Sequence, residues 1–113
     1  MSCLFCGVVR REVPAEGVYE DPDTIVIRDI HPQAPAHLLA IPKAHYGAIH
    51  EVPGAEAGFF DRLFRAVAAV VEKEQLAAYG YRLVVNSGRT SGQSVFHIHV
   101  HILSGRPMHW PPG

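Results

Sequence analysis

The chain has 113 residues, enough for one compact domain (1–113) and too few for a second. Hydrophobic residues make up 48% and charged residues 19%, a balance that supports a packed core and excludes an intrinsically disordered chain. A formal net charge of −1 gives no basic excess for nucleic acid or an anionic membrane surface, and no apolar run nears the ~20 residues of a membrane span.

Eight histidines are the compositional anomaly, since imidazoles suit proton transfer and metal ligation near neutral pH. The N-terminus has no basic flank leading into an apolar segment, and two cysteines so close together offer no disulfide framework; both point to a cytoplasmic protein.

The cysteines form a C-x-x-C pair, Cys3-Leu4-Phe5-Cys6. A redox pair of this kind normally follows a strand, so half of a metal site is the better reading, with two further ligands to be found. Gly17 to Glu20 reads as a short strand, Asp21-Pro22-Asp23 as its turn, and β-branched Thr24 to Ile30 as the returning arm of a hairpin. Asp29 stands near that arm's end, where a solvated carboxylate and a binding group read alike. Pro32 and Pro35 frame a loop, Ala36 to Ile41 is strand-like with His37 near its start, and Pro42-Lys43-Ala44-His45 turns the chain. Taken singly, His37 and His45 read as ordinary histidines.

Ala55 to Tyr79 is predicted as one long helix. Phe59, Phe60, Leu63, Phe64, Val67, Val70 and Val71 recur at three- and four-residue spacing, and Gly80 is placed to stop it. Tyr81 to Val85 is the next strand. It leads into Asn86 to Ser94, a small, polar, glycine-punctuated loop able to cradle an oxyanion or phosphate, with Asn86, Gln93 and Ser94 as added side-chain donors. The loop lacks the G-K-[ST] of a P-loop.

Val95 to Leu103, VFHIHVHIL, alternates three histidines with large apolar residues. As a strand it puts His97, His99 and His101 on one face, and Phe96, Ile98, Val100 and Ile102 on the other. Same-face neighbours then lie ~6.5–7 Å apart, so adjacent pairs can share an ion but a site using all three rings is strained. That spacing favours a division of labour, an end histidine serving one site and the other two another. A neutral imidazole is a competent nucleophile toward phosphorus, and a neighbouring imidazole can handle the leaving group's proton. The tail from Ser104 to Gly113 is too proline-rich for regular structure, and burial of Trp110 on its own domain or a second subunit is expected.

His97-Ile98-His99-Val100-His101-Ile102-Leu103 resembles the signature of the histidine triad (HIT) superfamily, closest to its Hint branch of nucleotide-binding phosphoramidases. Asp29-Ile30, Pro32 to His37, Ile41-Pro42-Lys43, Val85-Asn86, Gly92 to Val95 and Met108-His109-Trp110-Pro111-Pro112-Gly113 extend the likeness along nearly the whole chain in order. The resemblance implies an α+β fold: a five-stranded antiparallel sheet, one long helix, a short N-terminal helix, and a homodimer that continues the sheet. It implies purine nucleoside monophosphate binding (AMP or GMP) and hydrolysis of P–N bonds in nucleoside phosphoramidates through a covalent nucleotidyl-histidine. His99 would be the nucleophile, His101 would bond the phosphate and assist proton transfer, His37 would stand beside them, and Ser94 would lie near the scissile bond. Asp29 would hold the ribose, with Ile27 and Ile30 near the base. Asn86, Gln93 and Ser94 would surround the phosphate, and Trp110 would reach toward the other subunit's site. Some members carry a structural zinc at positions that here are Cys3, Cys6, His45 and His97; no catalytic metal is required. Pro107 departs from the polar residue common in the family's tail.

Two other readings remain open. A nucleotide-binding regulatory module with incidental turnover would use the same contacts. A metallohydrolase would place a catalytic ion on His97 and His99.

Overall fold

The computed structural model describes residues 3–113. A short helix α1 (Leu4–Val9) precedes three strands, β1 (Gly17–Glu20), β2 (Thr24–Arg28) and β3 (Ala36–Pro42). The long helix α2 (Gly58–Lys73) follows, then β4 (Tyr81–Val84) and β5 (Val100–Ser104). All five strands pair antiparallel in the order β1-β2-β3-β5-β4, so β4 is an edge and β3 and β5 lie inside.

The two faces of the sheet have different covers. On one, α2 packs Phe59, Leu63, Val67, Val70 and Val71 against Val26, Leu38, Ala40, Val100 and Ile102. On the other, Phe5 and Val8 of α1 cover Ile25, Ile27, Leu39 and Ile41. Covered on both sides, β2 and the inner part of β3 read as continuous apolar runs instead of alternating ones. Among the described residues no helix is long and apolar enough to cross a membrane.

Three local expectations change. The helix predicted over 55–79 runs only from Gly58 to Lys73; Gln75 takes a left-handed conformation (φ 58°), and Leu76–Ala78 forms a separate 3-10 turn. Continued regularly, the helix would carry Leu76 round to the solvent side. Leaving it lets Leu76 join the core. Gly80 (φ 110°) then closes the 3-10 turn, its N–H donating to the Leu76 carbonyl at 3.0 Å. Phe64, 140° round the helix from Phe59 at 100° per residue, lies beyond the buried stripe and is 40% exposed.

The histidine stretch also differs. Only Val100 onward pairs with β3, from Ala40↔Val100 to Ala36↔Ser104, so His97 and His99 precede the strand. β3 ends at Pro42, which has no N–H for a ladder, and the Pro42 carbonyl accepts His97 Nε2–H at 2.7 Å. Alternation therefore fails upstream of Ile98. Phe96 is 53% exposed, whereas Ile98, Val100 and Ile102 are buried in the α2 core.

Candidate active site and metal centre

Cys3 caps the N-terminus of α1, its sulfur accepting the Cys6 N–H at 3.5 Å, so the C-x-x-C turn itself brings both thiols to one end of the helix. The turn after β3 brings His45 to the same place, and the bend before β5 brings His97. Cys3 Sγ lies 3.4 Å from His97 Nδ1, and Cys6 Sγ lies 3.3 Å from His45 Nδ1 and 3.6 Å from His97 Nδ1. The two Nδ1 atoms are 3.0 Å apart. Zinc bonds of about 2.3 Å to sulfur and 2.0–2.1 Å to nitrogen put tetrahedral donors roughly 3.3–3.8 Å apart; these four distances come within a few tenths of that range, and all the donor atoms lie within 4.8 Å of one another.

The proton positions agree with ligation. A carbonyl only accepts, so the His97–Pro42 bond puts the His97 proton on Nε2 and leaves Nδ1 with a free lone pair aimed at the thiols. Burial, then the neighbouring Cys3 thiol, raises the Cys6 pKa; a bound cation reverses that balance by favouring thiolate.

A second group, Asp29, His37 and His101, also gathers its donor atoms within 4.8 Å. Here the tautomers argue against a metal. The Gln33 backbone N–H donates to His37 Nδ1 at 3.0 Å, so the single proton of neutral His37 is on Nε2, the atom facing the other two groups. His37 Nε2–H donates to His101 Nδ1 at 2.9 Å and lies 3.4 Å from Asp29 Oδ2. His101 in turn carries its proton on Nε2. This is a directed hydrogen-bond chain.

His99 is fixed by the same logic. Its Nδ1–H donates to the His97 carbonyl at 2.8 Å, which leaves Nε2 unprotonated. The His99 and His101 ring centres are 4.9 Å apart, and the Phe5 ring stands edge-on to His99, also at 4.9 Å. Burial lowers the pKa of all three histidines. It is opposed at His37 by the Asp29 charge, and at His99 by the bond to His97 and then Asp29. His101, next to His99 and His37 as well as buried, falls to about 4. All three are neutral near pH 7, as a nucleophilic imidazole requires.

His99 and His101 open into a mainly apolar cleft of about 270 Å³. Its floor is the cross-sheet row Ile27, Leu39 and His101, and its far wall is α1. Ile27, Asp29, Ile30 and Ser94, each expected at a nucleotide, line this cleft. His37 stands behind His101, buried. The Asp29 side chain also turns the loop beyond it, Oδ1 accepting the His31 N–H at 2.8 Å.

Asn86, Gln93 and Trp110 fall outside the residues that line the cleft. Gln93 is buried and ties its loop to the segment after β3: its Nε2 donates to the Gly47 and Val95 carbonyls at 2.6 and 3.2 Å, and its Oε1 accepts the Gly88 N–H at 2.7 Å. Gly88 and Gly92 take φ of 92° and 102° there, conformations that glycine adopts without strain. Trp110 is 81% exposed, so it does not pack on its own domain. The sequence reading missed Leu4, Phe5, Val8 and Val13, which wall the cleft. A helix of six residues carries too short a periodic signal; their nearness to the cysteine pair was the one available clue.

The HIT domain family matches residues 10–108. The 14 kDa zinc-binding protein of Zea mays is 45% identical over 112 residues, covering 97% of this chain and 87% of that one. The purine nucleoside phosphoramidase of Escherichia coli K12 is 40% identical over 105 residues, covering 93% and 88%. Among solved structures, a HIT family hydrolase from Legionella pneumophila superposes with a TM-score of 0.94 at 44% identity, covering 99% and 100%. With its fold, histidine cluster and end-to-end similarity in agreement, the chain belongs to the histidine triad (HIT) family, on its Hint branch.

Proposed function

We propose that this protein hydrolyses purine nucleoside phosphoramidates, through a nucleotidyl intermediate on His99. The observation that carries this reading is the bond from His99 Nδ1–H to the His97 carbonyl, which leaves Nε2 as the free lone pair at the cleft. The relative named a purine nucleoside phosphoramidase supports the substrate class.

In the first step His99 Nε2 attacks phosphorus and the P–N bond breaks. The departing amine takes up one proton, drawn from solvent through the His101 Nε2 position. Water then attacks phosphorus, the bond to His99 breaks, and one proton is returned. The net reaction is phosphoramidate plus water giving amine plus nucleoside monophosphate. The His37 Nε2–H bond holds His101 in the tautomer that presents Nε2–H to the phosphoryl group. Asp29 accepts the ribose hydroxyls, Ile27 and Ile30 flank the base, and Ser94 faces the scissile bond. Asn86 supports the phosphate loop, and Gln93 acts through that loop, its side-chain bonds being already used.

In this reading Cys3, Cys6, His45 and His97 would hold a zinc ion as a structural cross-link, all four donors coming from the protein. The zinc-binding relative and the donor spacing support it. The functional unit is a homodimer with the sheet continued through β4, an edge strand that exposes Tyr81 and Leu83, and Trp110 of each protomer reaches the partner's cleft.

The test is turnover of an adenosine phosphoramidate carrying a fluorescent amine. The wild type releases the amine and accumulates an adenylylated protein detectable by mass, and His99→Ala does neither. Equal turnover by the two proteins removes this reading.

A further inference from the structure

The metal-ligand cluster and the cleft share two parts, and neither sharing is needed for a cross-link that merely staples the fold. The first is α1. One end of this six-residue helix carries Cys3 and Cys6, while its side presents Leu4, Phe5 and Val8 to the cleft. Helices this short are not stable by themselves, so the wall stands only as firmly as α1 is held. Phe5, 5% exposed, links the two sites directly: its ring stands edge-on to His97 at 6.1 Å between centres and to His99 at 4.9 Å.

The second shared part is His97. Its Nδ1 faces the thiols, its Nε2–H is tied to the Pro42 carbonyl, and its own carbonyl accepts the His99 Nδ1–H. His97 lies outside the β-ladder, so its backbone is not fixed by strand pairing. Its ring contacts fix it, together with the Ile98 N–H bond to the Tyr46 carbonyl at 2.9 Å, which ties the same peptide unit to the residue after His45. The orientation of His99 therefore depends on a residue held by the cysteine-histidine cluster.

We propose that Cys3, Cys6, His45 and His97 form a positioning centre for the active site: with a divalent metal bound they hold the α1 wall and the His99 ring in place, and metal occupancy sets the affinity for nucleoside monophosphate. The proposal rests on the nucleotide reading above, which it deepens. Cys3, Cys6 and His45 touch no substrate, and they act through Phe5 and the His97 carbonyl.

The test compares zinc-loaded protein, protein stripped with a chelator, and Cys6→Ser. AMP affinity is read by calorimetry, the His99 ring by its nitrogen–proton correlations in NMR, and the sheet by circular dichroism. The expected result is a retained sheet, at least a tenfold loss of AMP affinity without metal, and a His99 signal that moves from a single Nδ1–H tautomer to a mixture, all reversed in the stripped protein by added zinc. Unchanged AMP affinity in stripped protein overturns the proposal. So does global unfolding on stripping, because the cluster is then a general staple. If zinc-loaded protein binds no AMP, the nucleotide reading fails, and the His99 signal decides the positioning role alone: an unmoved tautomer overturns it.

Discussion

The backbone N–H of Gln33 donates to Nδ1 of His37 at 3.0 Å, and this bond sets the direction of the hydrogen bonds further in. It confines the His37 proton to Nε2, which confines the His101 proton to its own Nε2, on the side where a phosphoryl group would lie. A main-chain donor cannot reverse its polarity, so the chain has one direction. The Asp29 carboxylate beside it, 3.4 Å from His37 Nε2, is the nearby negative charge that opposes the effect of burial on His37.

Removing the middle of that chain should be felt mainly in kcat. In His37→Ala, His101 loses the donor to its Nδ1 and can invert its tautomer. A fall in kcat of roughly ten- to a hundredfold with little change in KM is expected. Steady-state kinetics on the fluorescent phosphoramidate measure it, and kcat equal to wild type would show that the His37–His101 bond has no part in turnover.

The protein should lose stability as the medium turns acidic. His101 titrates at about 4 in the fold and near ~6.5 in an unfolded chain, so between these values the unfolded state holds the extra proton. Stability therefore falls as pH drops from about 6.5 to about 4, and burial of His37 acts in the same direction. The part due to His101 is on the order of 2–3 kcal/mol. Urea midpoints at pH 7 and pH 4.5 measure the loss, and in His101→Asn the difference between the two should shrink. An unchanged difference would place the acid sensitivity elsewhere.

Gln93 should matter more to the loop than its side-chain chemistry suggests. Gln93→Ala removes the bonds to the Gly88 N–H and the Gly47 carbonyl, at a cost of about 0.5–1.5 kcal/mol each. Gln93→Glu should not restore it, because a carboxylate would face two carbonyl oxygens. Chemical denaturation of both variants is the check; recovery by Glu would mean that the two carbonyl contacts carry no energy.

The edge strand offers the test of assembly. Leu83, 37% exposed on β4, should tolerate Leu83→Asp within the fold, while the proposed dimer comes apart. Light scattering coupled to size exclusion should then give the mass of one chain, with the circular dichroism unchanged. A mass unaltered from wild type would take β4 out of the interface.

Much of the fold was legible because local patterns and tertiary roles coincide. The stripe Phe59, Leu63, Val67, Val70 and Val71 is the face that α2 buries, and the turn at Asp21-Pro22-Asp23 joins β1 to β2 as read. Where they part, a long-range contact has won: Leu76 leaves the helix for the core, and His97 leaves the strand for Cys3, Cys6 and Pro42.

The sequence by itself singled out the candidate residues, since three spaced histidines, a cysteine pair and a polar loop are visible without coordinates. Strand spacing also suggested that the three histidines divide between two sites, although His97 and His99 in fact precede the strand. Only the tertiary structure decided the proton on each ring, because a tautomer is set by whatever faces the second nitrogen: the Pro42 carbonyl for His97, the His97 carbonyl for His99 and the Gln33 N–H for His37. Those partners lie 55, 2 and 4 residues away, and no periodicity in a chain encodes which of them will be a donor and which an acceptor.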